Sequence, residues 1–200
     1  MINPIRPLLV STRNAHKIVE IRQILGADFA VSDLSIVPAL GEVEETGATF
    51  EENAALKALA AAAHFDGWVI ADDSGLEVDA LDGAPGVRSA RFSGDSATDA
   101  SNRALLLEKL SGVRGKSRSA RFRCVMALAR GADCLATFSG SVEGIIINAE
   151  KGEGGFGYDS LFVPEGYCET FAELGAEVKN TLSHRAKALA LLKDWPGWGE

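Results

Sequence analysis

A chain of 200 residues suits one domain or two closely joined lobes, and at this size folding buries roughly 70% of the surface the unfolded chain exposes. Hydrophobic residues (46%) and charged residues (24%) stand in the proportions of an ordinary soluble protein, and no apolar run approaches the ~20 residues of a membrane span. The net charge of −8 excludes broad binding to nucleic acid or to an anionic membrane, because that affinity comes from lysine and arginine; a small polyanion would need a local basic pocket and a metal.

Residues 7–12 (PLLVST) predict a first strand and Ala15 to Leu25 a helix, with Ile18, Ile21, Ile24 and Leu25 on one face and Gly26 to end it. The link is the polar turn Thr12-Arg13-Asn14-Ala15-His16-Lys17, in which Asn14 suits the helix N-cap. Lys17 then opposes the helix dipole, a penalty that an anion on the free N–H groups would reverse. A capped surface helix with a solvated lysine is the plainer reading. A second strand is expected over 29–37, followed by the acidic loop Glu42 to Gly47. Thr49-Phe50-Glu51-Glu52 is a capping box opening an alanine-rich helix that runs to about Phe65. Asn53 and Lys57 share a face of it. Glu44 and Glu45 matter only if the fold brings them near Asp73.

The stretch 69–94 organises the chain. Val69-Ile70-Ala71 reads as a buried strand that stops at Asp72 and Asp73, followed by Ser74-Gly75. Neighbours in a regular strand point to opposite faces, so two adjacent carboxylates share one site only where the strand breaks, with Gly75 supplying the freedom. Carboxylates at the end of a buried strand suit Mg²⁺, a hard cation that takes oxygen ligands. An Asp-Ser-Gly turn is the bland alternative. The Gly83-Ala84-Pro85-Gly86 loop, with Ser89, Arg91 and Ser93-Gly94 after it, favours a phosphate–metal site.

Residues 98–110 predict a helix capped by Thr98, with Leu105, Leu106 and Leu110 inward. The basic stretch from Val113 to Arg123 reads as a solvated loop entering a strand. Residues 120–130 and 134–147 make a hairpin around Gly131. The cysteines at 124, 134 and 168 show no metal-ligand spacing, and reduced thiols in a cytoplasmic protein without a signal-peptide core are expected. In Gly154-Gly155-Phe156-Gly157-Tyr158-Asp159 the glycines admit close approach of a ligand, and the two aromatics offer stacking surfaces for a base. Ser183 caps a last apolar helix. Lys179, His184 and Arg185 crowd its start, where cations cost stability unless an anion or an acceptor-rich ligand is present.

In this order the stretches resemble the inosine triphosphate pyrophosphatase family (HAM1-like) over nearly the whole chain. The carriers are Thr12–Lys17, Glu44-Glu45-Thr46-Gly47-x-Thr49-Phe50-x-Glu52-Asn53-Ala54, Ala71-Asp72-Asp73-Ser74-Gly75-Leu76, Gly83–Gly86, Ser89–Gly94, Gly155–Asp159 and Ser183-His184-Arg185. The resemblance implies a single α/β domain over 1–200 with two lobes around a long twisted sheet, a substrate cleft between them, and a homodimer. It implies Mg²⁺-dependent hydrolysis of ITP, dITP and XTP to the monophosphate and pyrophosphate, with a small-molecule nucleoside triphosphate as partner and neither nucleic acid nor membrane. By position, Asp73 is the general base and a metal ligand, joined by Glu45 and by Glu44 or Asp72. Thr12, Asn14, Lys17 and Lys57 fall to the triphosphate, with Ser74 beside it, and Arg13, Ala15 and His16 complete the substrate-binding turn. Phe156, Gly157, Tyr158, Asp159, Lys179, His184 and Arg185 fall to the base.

Two residues depart from the family's pattern. Arg13 replaces a common glycine and so could alter the phosphate turn, while Ser160 replaces a common proline and so could loosen the base-side loop. The rival class is a nucleotide-binding regulatory module without chemistry, and the rival enzyme a pyrophosphatase for other nucleotides such as modified pyrimidine triphosphates.

Overall fold

Alternating apolar runs and capped amphipathic segments build a mixed α/β fold in the computed structural model, which describes residues 5–199 apart from the side chains of 115, 116 and 199. In chain order come β1 (Arg6–Val10), α1 (Ala15–Leu25), β2 (Phe29–Asp33), α2 (Phe50–Ala62), β3 (Trp68–Val78) and α3 (Asp99–Lys109). The β4 (Ser119–Arg130) and β5 (Asp133–Ile146) hairpin follows, then β6 (Phe162–Pro164), α4 (Phe171–Leu182) and α5 (His184–Lys193). The strands lie in the order β2-β1-β3-β4-β5-β6. β1 is parallel to β2 and to β3, with Leu9 opposite Ser32 and Val69, and β6 is antiparallel to β5.

The chain divides into two compact units whose boundaries fall inside β3, β4 and β5 and at the first residue of α5. The first holds the residues up to Asp73, Cys124–Gly140 and those from Arg185 onward. One face of α1 (Ile18, Ile21, Leu25) and one of α5 (Ala188, Leu189, Leu192) close over Leu8, Val10, Ile70 and Met126. Each such aliphatic side chain contributes about 1.5–3 kcal/mol by leaving water. Trp68 packs edge-on against Trp195 and Trp198, and Phe29 against Trp198, which fixes the C-terminal turn in this core.

The second unit holds Ser74–Arg123 and Ser141–His184. Its core joins Leu76 and Val78 of β3, Leu106 and Leu110 of α3, Val142 and Ile146 of β5, and the ring cluster Phe122, Phe162 and Phe171.

The caps form where the sequence places them. Asn14 caps α1, Thr49 and Glu52 close a capping box on α2, and Thr98 caps α3. α4 opens on a second Thr–Glu box and kinks at Gly175, whose φ of 77° no helix accommodates.

Three expectations are corrected. β2 ends at Asp33, because the Asp33 side chain accepts from the Ser35 N–H and turns the chain. β3 does not break at Asp72-Asp73 but runs on to Val78, and Gly75 is not among the glycines with positive φ. The basic stretch is not simply solvated. Arg118 is buried and donates to the carbonyls of Leu110, Ile146 and Ile147 at 2.7–3.0 Å, burial lowering its pKa, while Arg121 and Arg123 pair with Glu77, Asp79 and Glu143.

Candidate active site

In an unbroken β3 the two aspartates face opposite ways, and each meets its own partners. Asp72 is fully buried. Its Oδ2 accepts from Arg185 Nε (3.1 Å) and Nη2 (2.9 Å) and lies 3.4 Å from the Cys124 thiol, while its Oδ1 pairs with Lys17. Arg185, itself 1% exposed, also pairs with Glu20 on α1. Burial alone would raise the Asp72 carboxyl, but Arg185, Lys17 and Lys57 outweigh it and hold it well below the usual carboxylate range. Burial, with Asp72 beside it, pushes the Cys124 thiol well up, so it is a neutral donor rather than a nucleophile.

Asp73 faces α2. Lys57 Nζ stands 2.8 Å from Asp73 Oδ1 and 2.8 Å from Glu45 Oε1, and Asn53 Nδ2 donates to Asp73 Oδ2 at 3.3 Å. Asn53 also accepts from the Gly47 N–H at 2.8 Å, which ties the acidic loop to the same helix. A Cβ on Gly47 would stand 2.6 Å from that Asn53 oxygen, so only glycine fits there. Burial raises the Asp73 carboxyl above its usual value despite Lys57. Burial disfavours the Lys57 ammonium, yet Asp73, Asp72 and Glu45 overcome this and raise it.

Two hard carboxylate oxygens converging on one cation fit Mg²⁺, which takes one or two protein carboxylates and completes its shell with water and phosphate. Glu45 and Asp73 form that pair. Glu44 is exposed on the loop, and Asp72 is committed to Arg185 and Lys17. Among the described residues no three His, Cys, Asp or Glu side chains gather as a ready-made metal cage.

The polar turn lies beside these groups. Asn14 Oδ1 accepts from the N–H groups of His16 and Lys17, so two helix donors expected for an anion are already capped. Thr12 Oγ1 accepts from the Asn14 N–H. Arg13 does not disrupt the turn: its Nη2 donates to the carbonyls of Leu40 (2.7 Å) and Gly41 (3.2 Å) and so straps the turn to the loop that leads to Glu45. Ala15 and His16 are exposed. An open pocket of about 650 Å³, lined in part by Thr12, Arg13, Ala15 and Arg22, adjoins this turn.

In the second unit Ser74 is half-buried on β3, and the glycine-rich loop is built around Asp159. This carboxylate is 3% exposed, accepts from the Phe156 N–H at 2.9 Å and pairs with Lys179 at 2.6 Å. Gly155 has a φ of 73°, and a Cβ there would stand 2.1 Å from Asp159 Oδ2. Lys179 Nζ sits 4.7 Å from the Phe156 ring centre, a cation–π contact that orients the ring. Tyr158 is not a stacking surface: it is 4% exposed in the core and its hydroxyl donates to the Ser89 carbonyl at 2.9 Å, burial raising its pKa. Phe156 remains the ring at the loop surface. His184 is buried and stacks on Phe122 at 4.9 Å. The cations near the start of α5 therefore have the protein's own anions, Asp159 for Lys179 and Asp72 with Glu20 for Arg185.

Glu20, Asp99 and Arg103 have no place in the sequence reading, Cys124 enters it only as a reduced thiol, and Asn53 only as a neighbour of Lys57 and a carrier of the resemblance. The i, i+4 spacing of Asp99 and Arg103 on α3 was a signal open to a sequence reader; Cys124 gave none.

The Ham1 family pattern matches residues 8–195. The chain belongs to the Ham1 family. Among its Ham1 relatives, the dITP/XTP pyrophosphatase of Geobacter sulfurreducens is 51% identical over 193 residues, 96% of each chain. That of Desulforamulus reducens is 51% identical over 183 residues, 91% of each. The solved Ham1 protein of Staphylococcus aureus superposes with a TM-score of 0.83 at 41% identity, covering 94% of this chain and 96% of its own. The nucleoside-triphosphatase / dITP/XTP pyrophosphatase of Mycobacterium abscessus gives 0.76 at 43% identity, covering 94% of this chain and all of its own.

Proposed function

We propose that this protein hydrolyses non-standard purine nucleoside triphosphates (dITP, ITP and XTP) to the nucleoside monophosphate and pyrophosphate, removing them from the nucleotide pool. The observation that carries the proposal is the convergence of Asp73 and Glu45 on Lys57, with Asn53 bracing the set. It provides anionic oxygens for a metal, a cation for phosphate and a carboxylate of raised pKa in one place. The relatives' names supply the substrate class.

Phosphoryl transfer needs charge neutralised on phosphate oxygens and a nucleophile held in line. Asp73 orients a water and takes its proton. A carboxylate whose pKa is raised above its usual value is a better base for this than an ordinary one. Lys17 and Lys57 neutralise the triphosphate, with Thr12, Asn14 and Ser74 placing it. Mg²⁺ held by Asp73 and Glu45 would supply further charge neutralisation on the phosphates.

On the base side, Phe156 offers a ring face and His184 donates to the 6-keto oxygen, whereas Arg185, held by Asp72 and Glu20, is spent inside the protein. Adenine presents an amino donor at that position and leaves the His184 donor unmatched. The same reading carries a homodimer and a cytoplasmic location, on the strength of the family resemblance. No helix among the described residues is long and apolar enough to cross a membrane.

The test is product analysis with ITP, XTP, dITP, ATP and GTP, in Mg²⁺ and in EDTA. Monophosphate plus pyrophosphate from the three non-standard substrates, abolished by EDTA, is the expected result. Inorganic phosphate plus diphosphate would overturn the bond assignment, and tight ITP binding without turnover would favour a regulatory module.

A further inference from the structure

The peptide of Gly157 is gripped at both ends by one helix. Asp99 Oδ2 accepts from the Gly157 N–H at 2.7 Å, and Arg103 Nη1 donates to the Gly157 carbonyl at 2.9 Å. Asp99 and Arg103 are one turn apart on α3, so both reach from the same face. Gly157 has a φ of 61°, a left-handed conformation that the flanking Phe and Tyr do not readily impose by themselves.

The grip is continued behind the loop. Arg103 Nε lies 2.9 Å from Glu150 Oε2, and the Ser160 hydroxyl donates to the same Glu150 oxygen at 3.1 Å. Backbone pairing of the Lys151 N–H with the Ser160 carbonyl at 2.9 Å closes the base of the loop. Ser160, expected to loosen this loop, is thus an anchored member of a chain that runs Ser160–Glu150–Arg103–Gly157. α3 is itself braced: Asn102, 2% exposed, donates to the Ala90 carbonyl and accepts from the Ser93 N–H and hydroxyl. All of these residues lie in the second unit.

We propose that Asp99 and Arg103 are positioning residues that hold the Phe156–Tyr158 loop in the shape in which it receives a nucleotide, with Glu150 and Ser160 completing the brace. The inference rests on the reading that this loop meets the base. A loop held by charge-assisted hydrogen bonds is ordered before the ligand comes, so binding does not have to order it. Removing the brace moves the cost of ordering into the binding step, which raises KM and leaves the chemistry on Asp73 alone.

The test compares wild type with Asp99→Asn, Arg103→Met and Arg103→Lys, by steady-state kinetics in Mg²⁺ and by amide exchange of the 152–158 peptide. Arg103→Met keeps an apolar stem without the charge, whereas Arg103→Lys keeps the charge. The expected result is faster exchange and a KM for the best substrate raised about fivefold to tenfold in Arg103→Met, the size of one ordinary net hydrogen bond, with kcat within about twofold. Asp99→Asn shows a smaller change in the same direction, and Arg103→Lys returns part of the way to wild type. Wild-type KM in Arg103→Met, or equal effects of Met and Lys, overturns the proposal. The wild type's own ranking of ITP against ATP tests the base reading separately: a wild type indifferent to the base sinks that reading, while KM and exchange in the variants still decide the brace.

Discussion

In the first unit the candidate groups are charged side chains held by other charged side chains. Lys57 bridges Asp73 and Glu45, and Asp72 is wrapped by Arg185 and Lys17. In the second unit the candidate surface is a stretch of backbone with positive φ at Gly155 and Gly157, held from within by Asp159 and from α3 by Asp99 and Arg103. The difference suits different work. A phosphate site needs strong charge that can exchange partners, and a base site needs fixed shape. Disturbing the first should act on turnover, and disturbing the second on affinity and choice of base.

The sharpest contrast is inside the first unit, between neighbours on β3. Asp72→Asn leaves Lys17 and most of Arg185 without their shared anion, and should cost about 3–5 kcal/mol in urea unfolding. Because the folded pKa of Asp72 is lowered, its stabilisation is present above about pH 4 and is lost as pH falls through the lowered value. An Asp72→Asn variant should lack that acid limb. Asp73 has the opposite sign. Its folded pKa is raised, so its favourable contribution belongs to the protonated form and is lost as pH rises through the folded value. Asp73→Asn, measured in EDTA at pH 7, should therefore be as stable as wild type or slightly more so, while turnover falls by roughly 10²–10⁴-fold. An Asp73→Asn protein that is much less stable than wild type would contradict this pairing.

Between the units, Gly155→Ala forces a Cβ against Asp159 and should raise KM for ITP by about tenfold, the loss of one charge-assisted bond from the loop, with kcat less affected. The last contrast, which includes the smallest effect, separates two neighbouring glutamates. Glu45→Gln should shift the Mg²⁺ concentration for half-maximal activity upward by about tenfold or more, as expected when one of two ligand charges is lost, whereas exposed Glu44→Gln should move it by no more than about twofold. A Mg²⁺ titration of both variants checks this, and equal shifts would place Glu44 beside Glu45 as a ligand.

How much could be read without coordinates depends on how far each feature reaches along the chain. The caps at Asn14, Thr49 and Thr98 were legible because a cap is satisfied within three residues. Glu45, Lys57 and Asp73 were legible through the family's motifs, though the bridging of both carboxylates by one lysine was not. The break expected at Asp72-Asp73 was wrong because adjacency suggested a shared site. Partners 113 residues away at Arg185 and 20 residues away at Asn53 let each carboxylate be satisfied on its own face of an intact strand. The cations near α5 misled for the same reason: the Arg185–Glu20 pair spans 165 residues, and a local dipole argument sees only the helix end. Arg118 looked solvated because a run of basic residues hides the one whose carbonyl acceptors lie on another segment.

The most direct measurement is kcat/KM for ITP and for ATP in wild type, Asp73→Asn and Gly155→Ala under one Mg²⁺ buffer. If the first unit carries the chemistry and the loop carries the choice of base, Asp73→Asn lowers both values in parallel and keeps their ratio, while Gly155→Ala lowers the ITP value and brings the ratio toward one. Near-normal turnover in Asp73→Asn, or a Gly155→Ala variant that loses both substrates equally, would contradict the division.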